Sequence, residues 1–272
     1  MTSHPVAVFD NARLSFGQRT LWEGLNFKIH PGEYIAVLGG NGTGKTSLLR
    51  VLLGLQPLSA GQVHVVGAPV RRGCRDIGYV PQQRAFDQRT PLRGRDLVSM
   101  GVDGHRWGPR LVGRRAHRER VDALLERVGA LGFADSPVGL LSGGEQQRLR
   151  VAQALATDPS LLLFDEALLS LDVRGQSQLA QLVVEQRDRT GTAVLFVTHD
   201  LNPIIQDVDR VLYLANGSFR VGTPSEVLRS DVLSELYGAR VEVVTVSGRV
   251  LVVGAEATNH HHLPTTVREV TS

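Results

Sequence analysis

A single cysteine, Cys74, stands among the 272 residues. That excludes an internal disulfide and any metal cluster built on several thiolates, and it fits a reducing compartment. Aromatic residues are scarce at 5%, which argues against a binder that stacks bases on its rings. No apolar run approaches the ~18 residues that a membrane-spanning helix needs, so a transport role would have to borrow membrane helices from another chain. Met1 to Pro5 has neither a basic nor an apolar stretch, and no secretory signal is expected there. Lysine is nearly missing: of the 30 basic residues only Lys28 and Lys45 are lysine, and the rest are arginine. Set against 27 acids this leaves a net charge of +3. The arginine bias reads as a GC-rich genome rather than as a nucleic-acid surface. Internal repeats and long low-complexity linkers are absent from the sequence.

What is there suffices for a large core, with 42% hydrophobic and 21% charged residues. Val6 to Phe16 and Leu25 to Ile29 read as edge strands around a turn at Gly17-Gln18. Tyr34 to Leu38 reads as a short apolar strand and Thr46 to Leu55 as a helix. Gln62 to Val66 and Ile77 to Val80 are further strand candidates. Between about residues 89 and 140 the pattern turns helical, with Arg93 to Met100 and His117 to Val128, which marks an insertion. Beyond it, apolar runs at Leu161 to Phe164, Ala193 to Val197 and Val211 to Leu214 alternate with helical segments at Gly144 to Leu155, Val173 to Arg187 and Asn202 to Val208. Short apolar strands separated by helices predict a parallel sheet covered on both faces. The expected organisation is an α/β domain over residues 5–238, a β-hairpin extension over 239–254 flanking Ser247-Gly248, and a loose tail over 255–272.

Gly39-Gly40-Asn41-Gly42-Thr43-Gly44-Lys45-Thr46 matches G-x-x-x-x-G-K-[ST] between a strand and a helix, the setting this phosphate loop needs. Its glycines let backbone N–H groups curl around a phosphate, and the helix start adds a favourable dipole. Lys45 is the candidate for the β- and γ-phosphates and Thr46 for Mg²⁺, with Gly39, Asn41, Gly42, Thr43, Gly44 and Ser47 around the nucleotide. The Asn-Lys-x-Asp motif that reads guanine is absent.

Ser142-Gly143-Gly144 opens another helix and offers a second anion-binding start. Alone it could be a plain helix cap. Soon after it, Leu161 to Phe164 runs into Asp165 and Glu166. Asp165 is placed to hold Mg²⁺ and Glu166 to deprotonate an attacking water, the parts that phosphoryl transfer requires.

With these motifs the chain resembles the nucleotide-binding subunits of ABC transporters over roughly residues 5 to 235. The resemblance implies a P-loop NTPase cassette with a mixed sheet core, an antiparallel β subdomain and a helical insertion. It makes Leu141 to Gln146 the signature and Leu161 to Glu166 the strand bearing the catalytic glutamate. Gln82 resembles the family's Q-loop glutamine, near both metal and water, with Gln83 as the competing residue. Ser170-Leu171-Asp172 resembles the D-loop, His199 the switch histidine that contacts the γ-phosphate, and Phe16 either the adenine-stacking aromatic or ordinary core. Ala167 stands where the family usually has proline, and Gly40 where proline commonly follows the first loop glycine; neither change removes a ligand or a base.

By the same resemblance two copies clamp ATP head to tail, each phosphate loop facing the other copy's signature. Permease subunits would bind the cassettes at the cytoplasmic side of the membrane, and an extracytoplasmic metal-binding protein would act indirectly. Ile77 to Gln82 and Pro91 to Gly101 are similar to zinc and manganese importers, although both stretches also fit importer cassettes generally. His260-His261-His262 could bind such a metal or be part of a solvated tail. Siderophore-iron import is the rival substrate. A soluble cassette ATPase acting on nucleic acid or ribosomes is the rival class, and the arginines Arg106, Arg110, Arg114, Arg115, Arg118 and Arg120 read as a solvated helical face or a lipid-headgroup contact rather than an RNA contact.

Overall fold

The computed structural model describes residues 4–82, 86–104, 113–169 and 171–254. Two sheets and a small ribbon make up its β structure. The first sheet comprises β1 (Ala7–Phe16), β2 (Arg19–Ile29), β4 (Ala60–Val65) and β5 (Ala68–Pro69), all antiparallel, in the order β2-β1-β4-β5. The second has the order β10-β9-β3-β8-β7-β6, from β3 (Tyr34–Gly39), β6 (Ile77–Val80), β7 (Leu161–Asp165), β8 (Ala193–Val197), β9 (Arg210–Ala215) and β10 (Ser218–Gly222). Every neighbouring pair in it is parallel except β9–β10. A bridge between Trp22 and Gly217 ties the two sheets.

The helices are α1 (Lys45–Leu52), α2 (Gly94–Asp103), α3 (Arg114–Arg127), α4 (Gly143–Ala154), α5 (Val173–Thr190), α6 (Pro224–Val227) and α7 (Ser230–Tyr237). The ribbon is β11 (Glu242–Val246) paired with β12 (Arg249–Val253).

The parallel strands are apolar throughout because both of their faces are covered. Alternation sends Tyr34, Ala36, Phe164 and Phe196 into one core with the helices of the insertion, α4 and α5. Their neighbours Ile35, Val37, Leu163 and Leu195 enter a second core with α1 and the antiparallel sheet. At the centre of the first core Phe164 and Phe196 stack with ring centroids 4.9 Å apart. Gly78 in β6 is dictated by proximity: a Cβ there would fall 2.5 Å from the carbonyl oxygen of Ala154 at the end of α4.

Two expectations from the sequence need correction, and one strand carried no signal. β1 is not an edge strand; it lies between β2 and β4. The segment expected as a helix over 202–208 forms successive turns at 202–207 instead, with i→i−3 bonds from Ile204 to Leu201 and from Asp207 to Ile204. Six or seven residues give a helix little to repay nucleation, and Asn202 spends its side chain on β12 instead. β10 was not anticipated, since its residues are only half-buried or exposed and show no apolar run.

Phe164→Ala should destabilise the fold by about 3–5 kcal/mol, because both Phe164 and its stacking partner are fully buried. Urea unfolding measures this; a loss below about 1 kcal/mol would mean the core closes over the gap.

Candidate functional site

The parallel strands end side by side, and most of the sequence-predicted residues sit at those ends. β3 runs into the glycine loop, β7 into Asp165 and Glu166, β8 into Thr198-His199, and β6 into Pro81-Gln82. Register sets them level: Asp165 is opposite Val197, and Val80 is opposite Phe164.

The loop is shaped by close backbone approach. Gly39 has φ +141°, and a Cβ there would sit 2.1 Å from the carbonyl oxygen of Leu214. Thr43 Oγ1 donates to Gly40 O at 3.0 Å. Asn41 and Gly42 are exposed, whereas Ser47 is half-buried on α1. Helix α1 starts with no side-chain cap and no acid in its first turn, so its leading N–H groups are left for an anion. Lys45 is buried, and its ammonium donates to Gly39 O at 2.7 Å and Gly40 O at 2.8 Å. Burial holds its pKa below the usual lysine value, against the pull of Glu166 and Asp165.

Asp165 is buried as well. Its Oδ1 accepts from Thr46 Oγ1 at 3.2 Å and its Oδ2 from Tyr79 OH at 3.3 Å. Burial raises the pKa of its carboxyl; the two hydroxyl donors oppose that rise and the charge on Glu166 adds to it. Tyr79 itself is pushed up to about 12, by burial first and then by Asp165, so it remains a donor at any physiological pH. Among the described residues no group of three or more His, Cys, Asp or Glu gathers to hold a metal. A carboxylate beside a hydroxyl at the foot of a phosphate loop suits Mg²⁺, which takes few protein oxygens and completes its shell with phosphate and water.

Glu166 is held from both sides. Its Oε2 accepts from Gln82 Nε2 at 2.8 Å and its Oε1 lies 2.5 Å from His199 Nε2. Its backbone is left-handed, with φ +49°, a conformation that costs a side-chain-bearing residue about 1–2 kcal/mol. Such strain is concentrated at functional positions. Its N–H still donates to Val197 O at 2.9 Å, which fixes it to the end of β8.

The signature forms a separate place. Ser142 caps α4 in a reciprocal capping box with Glu145. Together with Gly143, Gly144, Arg148 and Asp172 it lines a cavity of about 510 Å³, to which no phosphate-loop residue contributes. Asp172 caps α5 by accepting from Gly175 N at 2.8 Å. Phe16 is 54% exposed, so it is not core. It pairs across the β1–β2 turn with Arg19, whose guanidinium donates to Gly42 O at 3.0 Å.

Gln83, Ser170, Arg106, Arg110 and His260-His261-His262 lie outside the described residues. Tyr79, Arg19 and Trp22 were missed in the sequence. A Cβ on Gly44 would lie 3.0 Å from the buried, unpartnered Trp22 Nε1, so that ring backs the loop. The alternation of β6 could have singled out Tyr79 as a half-buried hydroxyl one strand from Asp165.

Comparison with known proteins places the chain in a family. The family described as ABC transporter matches residues 22–169. The manganese transport system ATP-binding protein MntB of Halalkalibacterium halodurans is 32% identical over 92% of this chain and 99% of its own. The zinc import ATP-binding protein ZnuC of Cereibacter sphaeroides is 38% identical over 82% of this chain and 84% of its own. A solved dimer of the ATP-binding cassette MJ0796, in a post-hydrolysis state with ADP and Pi bound, superposes with a TM-score of 0.67 at 25% identity, covering 80% of this chain and 98% of the other.

Tyr79→Phe removes one of the two hydroxyl donors on Asp165. A hydrogen bond worth about 0.5–1.5 kcal/mol translates into a roughly 2- to 10-fold loss of divalent-ion affinity. Mn²⁺ titration by electron paramagnetic resonance in the presence of ATP reads this, and unchanged affinity would separate Tyr79 from the ion site.

Proposed function

The chain belongs to the ABC transporter family as an ATP-binding subunit, and from that premise we propose that it hydrolyses ATP between two of its own copies to drive import of manganese or zinc. The observation that carries the catalytic part is the convergence of Gln82 and His199 on the two oxygens of Glu166, next to Lys45 and Asp165. The substrate rests on the relatives, which are named for manganese transport and zinc import and align over most of this chain.

In this reading the cassette spans residues 5–238, and its insertion over 89–140 meets the permease. The exposed ring of Phe16 stacks on adenine. Gly39, Asn41, Gly42, Thr43, Gly44 and Ser47 wrap the phosphates at the start of α1. The Lys45 ammonium leaves the Gly39 and Gly40 carbonyls for β- and γ-phosphate oxygens. Thr46 and Asp165 would hold Mg²⁺, with Gln82 close by; bound there, the ion would neutralise charge that builds on the phosphate oxygens. Glu166 takes a proton from the attacking water, Gln82 orients that water, and His199 faces the γ-phosphate. Ser142, Gly143, Gly144 and Asp172 serve the nucleotide of the second copy, in keeping with a signature cavity that shares no residue with the phosphate loop.

No helix among the described residues is long and apolar enough to cross a membrane. Membrane passage then falls to permease subunits, with this chain peripheral on their cytoplasmic side and an extracytoplasmic metal-binding protein delivering the ion.

Glu166→Gln should still bind ATP and lose turnover by roughly 10²-fold or more. With ATP and Mg²⁺ it should accumulate as a dimer in size-exclusion chromatography. A variant that stays monomeric and hydrolyses ATP at the wild-type rate contradicts the assignment.

Loss of the gene should lower cellular manganese or zinc and slow growth in chelated medium, with rescue by added metal and not by the Glu166→Gln variant. Elemental analysis decides: unchanged manganese and zinc with lost uptake of siderophore-bound iron would overturn the substrate and leave the ATPase in place.

A further inference from the structure

The β11–β12 ribbon has two unlike sides. Cross-strand pairing puts Val243 and Thr245 with Val252 and Val250 on one side, and Glu242, Val244 and Val246 with Val253, Leu251 and Arg249 on the other. Val243 packs against the core and Val250 is half-buried, so the first side turns partly inward, with Thr245 and Val252 on it exposed. On the outer side Val244, Val246, Leu251 and Val253 are 38%, 55%, 47% and 54% exposed. This aliphatic strip is bounded by an acid at one end, Glu242 beside Val253, and a base at the other, Arg249 beside Val246.

That pattern is self-complementary. A two-fold axis running across the strands lays the Glu242 end of one ribbon over the Arg249 end of another. Val244 and Leu251, in the middle row, then each meet their own counterpart. Arg240 donates to Glu242 Oε1 at 2.7 Å within the chain, which holds the carboxylate at the rim.

The ribbon is also fastened to the nucleotide site. The Asn202 side chain donates to Val250 O at 3.1 Å and accepts from Val250 N at 2.8 Å, taking the place of a neighbouring strand. Asp200 fixes that amide by accepting from Asn202 Nδ2 at 2.7 Å and from Asn202 N at 2.9 Å. His199, which faces Glu166, immediately precedes Asp200.

We propose that the β11–β12 ribbon is a docking surface for a second copy of this chain: two ribbons stack face to face across a two-fold axis, and Asn202 links that contact to the His199 loop. The proposal rests on the two-copy reading above, which closes a second copy over the face where His199 lies. Four aliphatic side chains per copy cover far less than the ~800 Å² per partner of a stable interface. The contact therefore reinforces the ATP-closed dimer and is weak without nucleotide.

The test uses single cysteines in a Cys74→Ser, Glu166→Gln chain, with oxidation or a short bifunctional thiol reagent. With ATP and Mg²⁺, Val244→Cys and Leu251→Cys should each crosslink to themselves. Val246→Cys should not, yet it should crosslink when mixed with Glu242→Cys. At high protein concentration without nucleotide the same pattern should appear at lower yield. Arg249→Glu should lower the Val244→Cys yield several-fold, and mixing it with a Glu242→Arg chain should restore it. A dimer by size exclusion without the Val244 and Leu251 crosslinks overturns the proposal and leaves the ATPase reading intact. The crosslink pattern without an ATP-dependent dimer does the reverse. Cysteines at 244 and 251 that are shielded from thiol reagents in the monomer also overturn it, since some other segment then covers the strip.

Discussion

Four parallel strands must end at one level for this site to exist, and their register is what the other features depend on. β3, β8, β7 and β6 are consecutive neighbours, and each delivers one piece at its carboxyl end: the glycine loop, His199, the Asp165-Glu166 pair and Gln82. These residues are far apart in the chain, and hydrogen bonds between strands set their heights. A slip of one residue would send Asp165 to the opposite face. The register is defended by the core, since alternate residues of every one of these strands feed different apolar clusters. Stability and catalysis thus draw on the same pairing, and ligands gather outside the carboxyl ends of such sheets for this reason.

Burial sets the electrostatics of the pocket. The charge of Glu166 acts on both Lys45 and Asp165, yet burial is the largest influence on each. It pushes each toward its neutral form; the charges of Glu166 and Asp165 pull Lys45 back, and the hydroxyls of Thr46 and Tyr79, then the charge of Arg50, pull Asp165 back. The lysine satisfies itself on loop carbonyls and the aspartate on two hydroxyls. All of these are neutral partners, which a phosphate or a cation could displace at modest cost. A pocket held ready in this way needs little rearrangement to take a charged ligand.

The pieces legible in the sequence are those whose chemistry is written in consecutive residues. Gly39 to Thr46, Ser142 to Gly144 and Leu161 to Glu166 carry their geometry locally, through tight turns, helix starts and a strand end. Gln82 and His199 could be picked out only by order within a resembled set, and the structure brings both to Glu166. Arg19 and Trp22 reach the glycine loop from β2, a contact that no local pattern reports, and Tyr79 meets Asp165 only through the pairing of β6 with β7. The same limit explains the errors. Whether β1 is central or at an edge is decided by β4, more than forty residues later. The turns over 202–207 are held by an amide that reaches a strand near the C-terminus.

A cassette with one phosphate loop and one signature could close both around the same nucleotide only if they met within the chain. Here the signature cavity is lined by α4 and α5 and shares nothing with the loop at α1. In the proposed assembly each half-site therefore waits for another copy, so hydrolysis cannot outrun association. The left-handed backbone at Glu166 fits that logic. A strained residue gripped by Gln82 from one strand end and His199 from another responds when either neighbour moves. Gln82 leads toward the helical insertion and His199 toward Asn202 and the ribbon. The carboxylate that would activate water thus stands between the strand end that leads to the helical insertion and the one that leads to the ribbon.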